Sequence, residues 1–288
     1  MIISVASGKG GTGKTTIAVN LALSLENVQL LDCDVEEPNA HLFIDPVFEK
    51  KESSYIPVPV IDETKCNYCC KCRDVCEYKA IFAVKTGEQT GTVMVFSNLC
   101  HGCGACAYFC PKKAIKEVEK EIGVVETGHK GSLLFSRGAL NVSEAMSPPL
   151  IRDVKKKINP AKTVIIDAPP GTSCPVITAV KGSDYCILVT EPTPFGLNDL
   201  ELAVQVLEKI GIPHGVVINR SDLGDDKAEK YCKAKNIPIL MKIPFDKEIA
   251  LLYSKGIPLV REKQEYLEKF REMFREINCR VKEIKEGA

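Results

Sequence analysis

Nine of the fourteen cysteines lie between residues 66 and 110, and eight of these fall into two runs of identical spacing. Cys66, Cys69, Cys72 and Cys76 form C-x2-C-x2-C-x3-C; Cys100, Cys103, Cys106 and Cys110 form the same run, followed by Pro111. Thiolates this close together converge on a soft metal centre. Zinc usually takes two separated C-x2-C pairs or mixed Cys/His sets, whereas two runs of four are the pattern of [4Fe–4S] ligation. The runs lie within a repeat displaced by 34 positions, CNYCCKCRDVCEYKAI against CHGCGACAYFCPKKAI, with Glu77 standing where the second copy has Pro111. Proline stiffens that turn but ligates nothing, so both runs are expected to bind, the first through a less rigid turn. Cys70, beside Cys69, reads as a free thiol.

A second constellation lies near the N-terminus. Gly8-Lys9-Gly10-Gly11-Thr12-Gly13-Lys14-Thr15 satisfies G-x-x-x-x-G-K-[ST], with Thr16 next. Glycines let several backbone N–H groups turn inward on one phosphate, and the positive end of the following helix adds to the attraction. Lys14 then reaches the β- and γ-phosphates, and the Thr15 hydroxyl faces Mg2+. Two apolar runs end in acid further on, Leu30-Leu31-Asp32-Cys33-Asp34 and Ile165-Ile166-Asp167. Carboxylates at the carboxyl ends of parallel strands lie where ligands collect in open α/β sheets.

The string KGGTGKTT, with its early lysine, resembles the deviant Walker A motif of the ParA/MinD/Mrp family, which also includes the nitrogenase iron protein. That resemblance implies an ATP- and Mg2+-binding ATPase that closes as a homodimer across the nucleotide. Lys9 would reach the nucleotide of the other subunit; the alternative is a solvated loop cation. Asp34 would position the attacking water, with Asp32 in support, and Asp167 would hold Mg2+ through water together with Thr15. Gly171, in the switch-like segment DAPPGT, would bring a backbone N–H near the γ-phosphate. Ile218-Asn219-Arg220 resembles the adenine-side segment, and Ile243-Pro244-Phe245-Asp246 the loop flanking the base, so Asn219 and Pro244 join the nucleotide set. Asn219 could equally cap a helix. No guanine-reading N-K-x-D motif is present.

The cysteine runs resemble those of bacterial two-cluster ferredoxins, which implies crossed ligand sets. Cys66, Cys69, Cys72 and Cys110 would hold cluster 1; Cys100, Cys103, Cys106 and Cys76 would hold cluster 2. The composite resembles MinD-superfamily ATPases with an inserted ferredoxin domain: residues 1–59 and 116–288 form the ATPase, and 60–115 form the insert. Cys174 parallels a cluster-ligating cysteine of the nitrogenase iron protein. No cysteine lies between Cys110 and Cys174 to supply a second ligand, and the late C-x-x-C pair of Mrp-type carriers is missing, so a subunit-bridging cluster is not expected.

Positioning the phosphate loop requires particular elements. MIISVAS is a short β-branched run and reads as a buried parallel strand; Thr15 to Leu25 reads as the helix after the loop. Val28–Leu31, Thr163–Ile166, Tyr185–Thr190, Gly215–Asn219 and the weaker Pro238–Lys242 read as further strands with helical patterns between. The fold class is therefore α/β, a doubly wound, mostly parallel sheet, with a small ferredoxin-like α+β insert. Residues 116–160 read as a mixed segment returning to the sheet. In the C-terminal run, Leu267, Phe270, Phe274, Ile277, Val281 and Ile284 share one helical stripe, expected to pack on the sheet or on a neighbouring subunit.

Length and charge set outer limits. The 288 residues suit one large and one small domain, and 45% apolar composition can fill a core. Formal net charge is zero, which argues against nucleic acid or an anionic membrane as a generic partner. No apolar run is long enough to span a bilayer, and the opening residues carry no leader pattern, so a cytoplasmic setting with reduced thiols is expected. Cys33, Cys70, Cys174, Cys186, Cys232 and Cys279 are then by default small buried apolar residues. Together these features suggest an ATP-gated electron carrier serving a redox partner. The alternatives are an ATP-dependent cluster assembly or carrier protein and a MinD-like spatial organiser.

Overall fold

The structure, a computed structural model, describes residues 1–286. It divides into two compact units: residues 1–51, 125–139 and from 151 on form the first, and residues 52–124 and 140–150 the second.

The first unit is built on five short strands with almost no polar interruption. They are β1 (Ile2–Ala6), β2 (Val28–Asp32), β8 (Thr163–Asp167), β9 (Tyr185–Thr190) and β10 (His214–Asn219). Their side chains are buried nearly throughout, as parallel strands covered on both faces require. With β3 (Val47–Ile61), β6 (Ile115–Lys130), β7 (Leu133–Leu140) and β11 (Ile239–Ile243), the sheet order is β11-β10-β9-β1-β8-β2-β7-β6-β3. Strand β8 enters between β1 and β2, with Val5 and Asp32 both opposite Asp167. This register brings the ends of three strands to one edge.

Helices cover the sheet. Helix α1 (Lys14–Leu23) follows Gly13, whose φ of +96° is open to glycine at little cost. Helix α2 (His41–Ile44) is one turn; α5 (Ser147–Lys155) and α6 (Cys174–Val180) flank β8 in sequence. The Lys155 ammonium donates to the carbonyls of Thr178, Ala179 and Lys181 at 2.6–3.0 Å, satisfying the open end of α6. Helix α7 (Pro194–Ile210) is capped by Thr193, whose hydroxyl accepts from Gly196 N–H. Helices α8 (Lys227–Ala234), α9 (Lys247–Ser254), α10 (Leu259–Glu262) and α11 (Gln264–Glu286) complete the unit. No described helix is long and apolar enough to cross a membrane.

The strand readings hold to within a residue or two. The 116–160 segment resolves into β6, β7 and α5; β6 and β7 are joined by Gly131 and Ser132 alone, so these neighbours run antiparallel, and Gly131 has φ +59°. Strand β3 has no counterpart in the sequence reading. Its first half, VFEKKES, is largely exposed at the sheet edge and carries the charges that blunt edge strands, so it has no apolar signature. In α11 the buried residues are Tyr266, Phe270, Met273, Ile277 and Val281, and the helix packs against α1 and β11. Ile284, placed on the buried stripe by its spacing, is instead 47% exposed: it lies near the helix end, beyond the covered surface. Among the scattered cysteines, Cys33, Cys186 and Cys232 are buried, but Cys174 and Cys279 are exposed and Cys70 half-buried. Cys174 opens α6, and Cys279 sits two residues from Ile277, on the opposite face of α11.

The second unit repeats its backbone along with its sequence. Helices α3 (Lys71–Asp74) and α4 (Ala105–Tyr108) correspond across the two copies. Tyr68, Cys70 and Lys79 have positive φ in the first copy; Gly102, Gly104 and Lys113 have it in the second. Strands β4 (Ile81–Lys85) and β5 (Gly91–Val95) pair antiparallel, Ala83 opposite Val93. Its small core joins Ile81, Cys106 and Ile115, with Cys72, Cys76 and Cys110 packed against them.

Phe270 is fully buried. Phe270→Ala is expected to lower unfolding stability by about 3–5 kcal/mol, and Ile284→Ala to stay within about 0.5 kcal/mol, read as urea midpoints under anaerobic conditions.

Candidate functional site

The phosphate loop runs from the end of β1 to the start of α1. Gly11 and Gly13 take positive φ, and a Cβ on Gly8 would fall 2.2 Å from the Asp199 carbonyl oxygen. The loop is braced on several sides. Ser7 Oγ donates to Lys9 O at 2.5 Å, and Asn219 Nδ2 donates to Thr12 O at 2.9 Å. A cleft of about 380 Å³ opens beside it. Gly10, Gly11, Gly13, Lys14, Thr15, Thr16 and Asp34 line it together with Pro170, Asn219, Arg220, Pro244, Phe245 and Tyr253. The sequence-derived nucleotide residues thus largely converge on one cleft.

Three aspartates end up within one another's fields. Asp32 is fully buried and accepts from Asp34 N–H (3.2 Å) and Ala40 N–H (3.0 Å), so it shapes the loop after β2. Burial and the Asp167 charge hold its carboxyl well above the usual range. Burial pushes Asp34 up to about 6, partly opposed by the Lys14 ammonium. Asp167 is pushed up to about 7, again chiefly by burial, with Thr15 and Lys14 acting to lower it. The Thr15 hydroxyl is close enough to act on Asp167, yet neither carboxylate oxygen has a well-formed hydrogen bond. A buried, orphaned carboxylate next to a threonine and a lysine fits a divalent cation with bound phosphate, which would supply the missing partner.

Three expected residues sit differently. Lys9 Nζ pairs with Glu191 Oε2 at 3.4 Å instead of lining its own cleft, and Glu191 also accepts from Arg220 at 2.7 Å. Gly171 N–H donates to Ser7 O at 3.0 Å, so this bond must open before a phosphate can take it. The Asn219 amide is engaged by the phosphate loop, and its Oδ1 accepts from Arg220 N–H; it caps no helix. Glu191, Glu37 and Tyr253 were not legible as site residues. A lone acid after a strand and an aromatic in a surface helix carry no spacing signal.

The cysteines gather in two small cavities. Cys66, Cys69, Cys72 and Cys110 line one, with Cys70 beside them. Cys76, Cys100, Cys103 and Cys106 line the other. The fourth cysteine of each run thus turns toward the other run's cavity. Backbone N–H groups of Tyr68, Ala80, Gly102 and Ala114 donate to the sulfurs of Cys66, Cys76, Cys100 and Cys110 at 3.2–3.4 Å. Burial raises the Cys72 and Cys100 thiols and pushes Cys106 up to about 11, so ionisation needs a bound cation. Among the described residues, no three His, Cys, Asp or Glu side chains converge tightly enough for a single ion. Four sulfurs spread around a cavity, with N–H donors to the sulfur, fit a centre several ångströms wide better than tetrahedral zinc with bonds near 2.3 Å.

A parallel sheet whose first strand feeds a glycine-rich loop, with acids ending two neighbouring strands, defines a P-loop nucleotide-binding protein. The chain belongs to the CobQ/CobB/MinD/ParA nucleotide binding domain family, whose model matches residues 3–259. It is accordingly a P-loop ATPase of that family. An uncharacterized protein of Methanocaldococcus jannaschii is 34% identical over 89% of this chain and 90% of its own length. An iron-sulfur cluster carrier protein of Pyrococcus abyssi is 28% identical, covering 90% of this chain and 78% of the carrier. The septum site-determining protein MinD of Pyrococcus horikoshii, solved with Mg-ADP, shares the fold at TM-score 0.58, with 22% identity over 96% of this chain and 95% of that one.

The raised Asp167 carboxyl fixes the sign of a pH effect. Between about pH 4 and 7 the folded, ligand-free chain keeps a proton that the unfolded chain has lost, so its stability falls as pH rises through that window. Cation binding must expel the same proton. Stabilisation by Mg-ATP is therefore expected to grow between about pH 6 and 8, and Asp167→Asn to remove the Mg2+-dependent part. Thermal shift with and without Mg-ATP across that range checks both.

Proposed function

We propose that this chain is an ATP-dependent iron–sulfur protein in which nucleotide state governs electron delivery from two [4Fe–4S] clusters to a partner protein. The observation that carries the reading is the sorting of eight cysteines into two four-sulfur cavities in a chain that also holds a phosphate loop. When bound, the clusters supply one-electron redox chemistry at low potential. Cys66, Cys69, Cys72 and Cys110 hold one, and Cys76, Cys100, Cys103 and Cys106 the other.

The chain's own residues supply the nucleotide half. The loop N–H groups and Lys14 bind the β- and γ-phosphates, and Thr15 with Asp167 orients Mg2+. Asp34, at the cleft wall, orients the attacking water. Lys9 leaves Glu191 and reaches the phosphates of a second copy, so hydrolysis requires a homodimer. Opening of the Gly171–Ser7 bond on γ-phosphate binding gives the switch segment two states.

Cluster assembly or transfer is the second reading, favoured by the relatives named as iron-sulfur cluster carrier proteins, such as that of Pyrococcus abyssi. Chain features weigh against it: each cavity has four cysteines of its own, and Cys232 and Cys279 form no C-x-x-C pair. Anaerobically prepared protein is expected to hold about eight irons, and Lys14→Ala to abolish ATP turnover while leaving that content intact. Cluster potentials measured with and without Mg-ATP separate the two readings. A shift favours gated electron transfer; unchanged potentials together with ATP-dependent transfer of iron to an apo-acceptor favour the carrier.

A further inference from the structure

The repeat in the second unit allows the two cysteine cavities to be compared position by position, and they differ in charge. Lys112 lines the first cavity, and its counterpart in the second, 34 positions earlier, is Tyr78. Lys71 lines the first; its counterpart in the second is Ala105. Asn67 in the first corresponds to His101 in the second, where the imidazole stacks on Tyr78 with ring centroids 3.4 Å apart. The reverse asymmetry comes from Glu117. It lines the second cavity, whereas its counterpart Ala83 is a buried strand residue that does not line the first. Glu117 lies over the second cysteine loop: a Cβ on Gly104 would stand 3.5 Å from its Oε1. Two lysines thus line one cavity and one glutamate the other.

We infer that the two cavities hold centres of unequal electron affinity. The centre ringed by Cys66, Cys69, Cys72 and Cys110 is reduced first because Lys71 and Lys112 border it. The centre ringed by Cys76, Cys100, Cys103 and Cys106 is reduced second because Glu117 borders it. The inference rests on the reading that each cavity holds a [4Fe–4S] cluster. Reduction adds one electron to each cluster and makes it one charge more negative, with no bond formed or broken. A nearby ammonium stabilises that added charge, and a nearby carboxylate opposes it. An electron given to the second centre by a one-electron donor therefore runs downhill to the first, which becomes the delivery side. Nothing in the identical cysteine spacing would produce this order; it comes from three side chains outside the ligand sets.

The test is a reductive titration of the anaerobically purified full chain with dithionite, following the two cluster signals by electron paramagnetic resonance. Two separate one-electron waves are expected. Lys71→Gln with Lys112→Gln should move the higher wave down and leave the lower in place; Glu117→Gln should move the lower wave up and leave the higher in place. On the unaltered chain, raising salt should narrow the gap, because the three charges are exposed and screened. Absence of cluster iron would overturn the underlying reading. Two clusters that titrate in one wave would overturn the inference alone, as would a gap insensitive to salt or charge substitutions that move the opposite wave.

Discussion

Desolvation of carboxylates at the edge of a parallel sheet is the constraint on which the ATPase unit turns. Asp32 and Asp167 end neighbouring strands in register, and both are buried. Neither would be tolerated there as a free charge. Asp32 is satisfied by two backbone N–H groups, and by accepting them it fixes the loop that carries Asp34. Asp167 has no such partners and faces Thr15 and Lys14. The first acid is satisfied within the protein and the second is not. The difference lies wholly in what their neighbours donate.

Around that constraint the unit leaves several polar groups provisionally paired. Lys9 shares Glu191 with Arg220, Gly171 N–H rests on Ser7 O, and the Asn219 amide rests on Thr12 O. Each partner is near the phosphate loop, and each pairing can open at modest cost, since a typical protein hydrogen bond contributes only about 1 kcal/mol. A rigid apolar centre thus carries readily broken polar contacts along the phosphate loop.

The parts of this fold that were legible share one property: local sequence alone determines them. Strands buried on both faces are unbroken apolar runs, the phosphate loop is contiguous, and the cysteine spacing is fixed within each run. Strand β3 was missed because an edge strand with charged faces resembles a loop. Glu191 was missed because its role depends on Lys9 and Arg220, both distant in sequence. Ile284 was misplaced because helical periodicity reports a face, not where the covering surface stops. Lys9 and Gly171 were found by motif, but their partners in this state follow from the tertiary arrangement.

The sheet order also bears on how the chain is made. Strand β1, which feeds the phosphate loop, has β8 and β9 as its neighbours, and β8 separates it from β2. During synthesis from the N-terminus, β1 therefore waits unpaired until residues beyond 163 have emerged, a long-range closure that is slow to form. The cysteine-bearing unit ends at residue 150, before β8 begins, and its β4–β5 pair is local. All of its residues therefore leave the ribosome ahead of the strand that completes the sheet beside the phosphate loop. The cysteine-bearing unit can thus fold before the ATPase sheet closes.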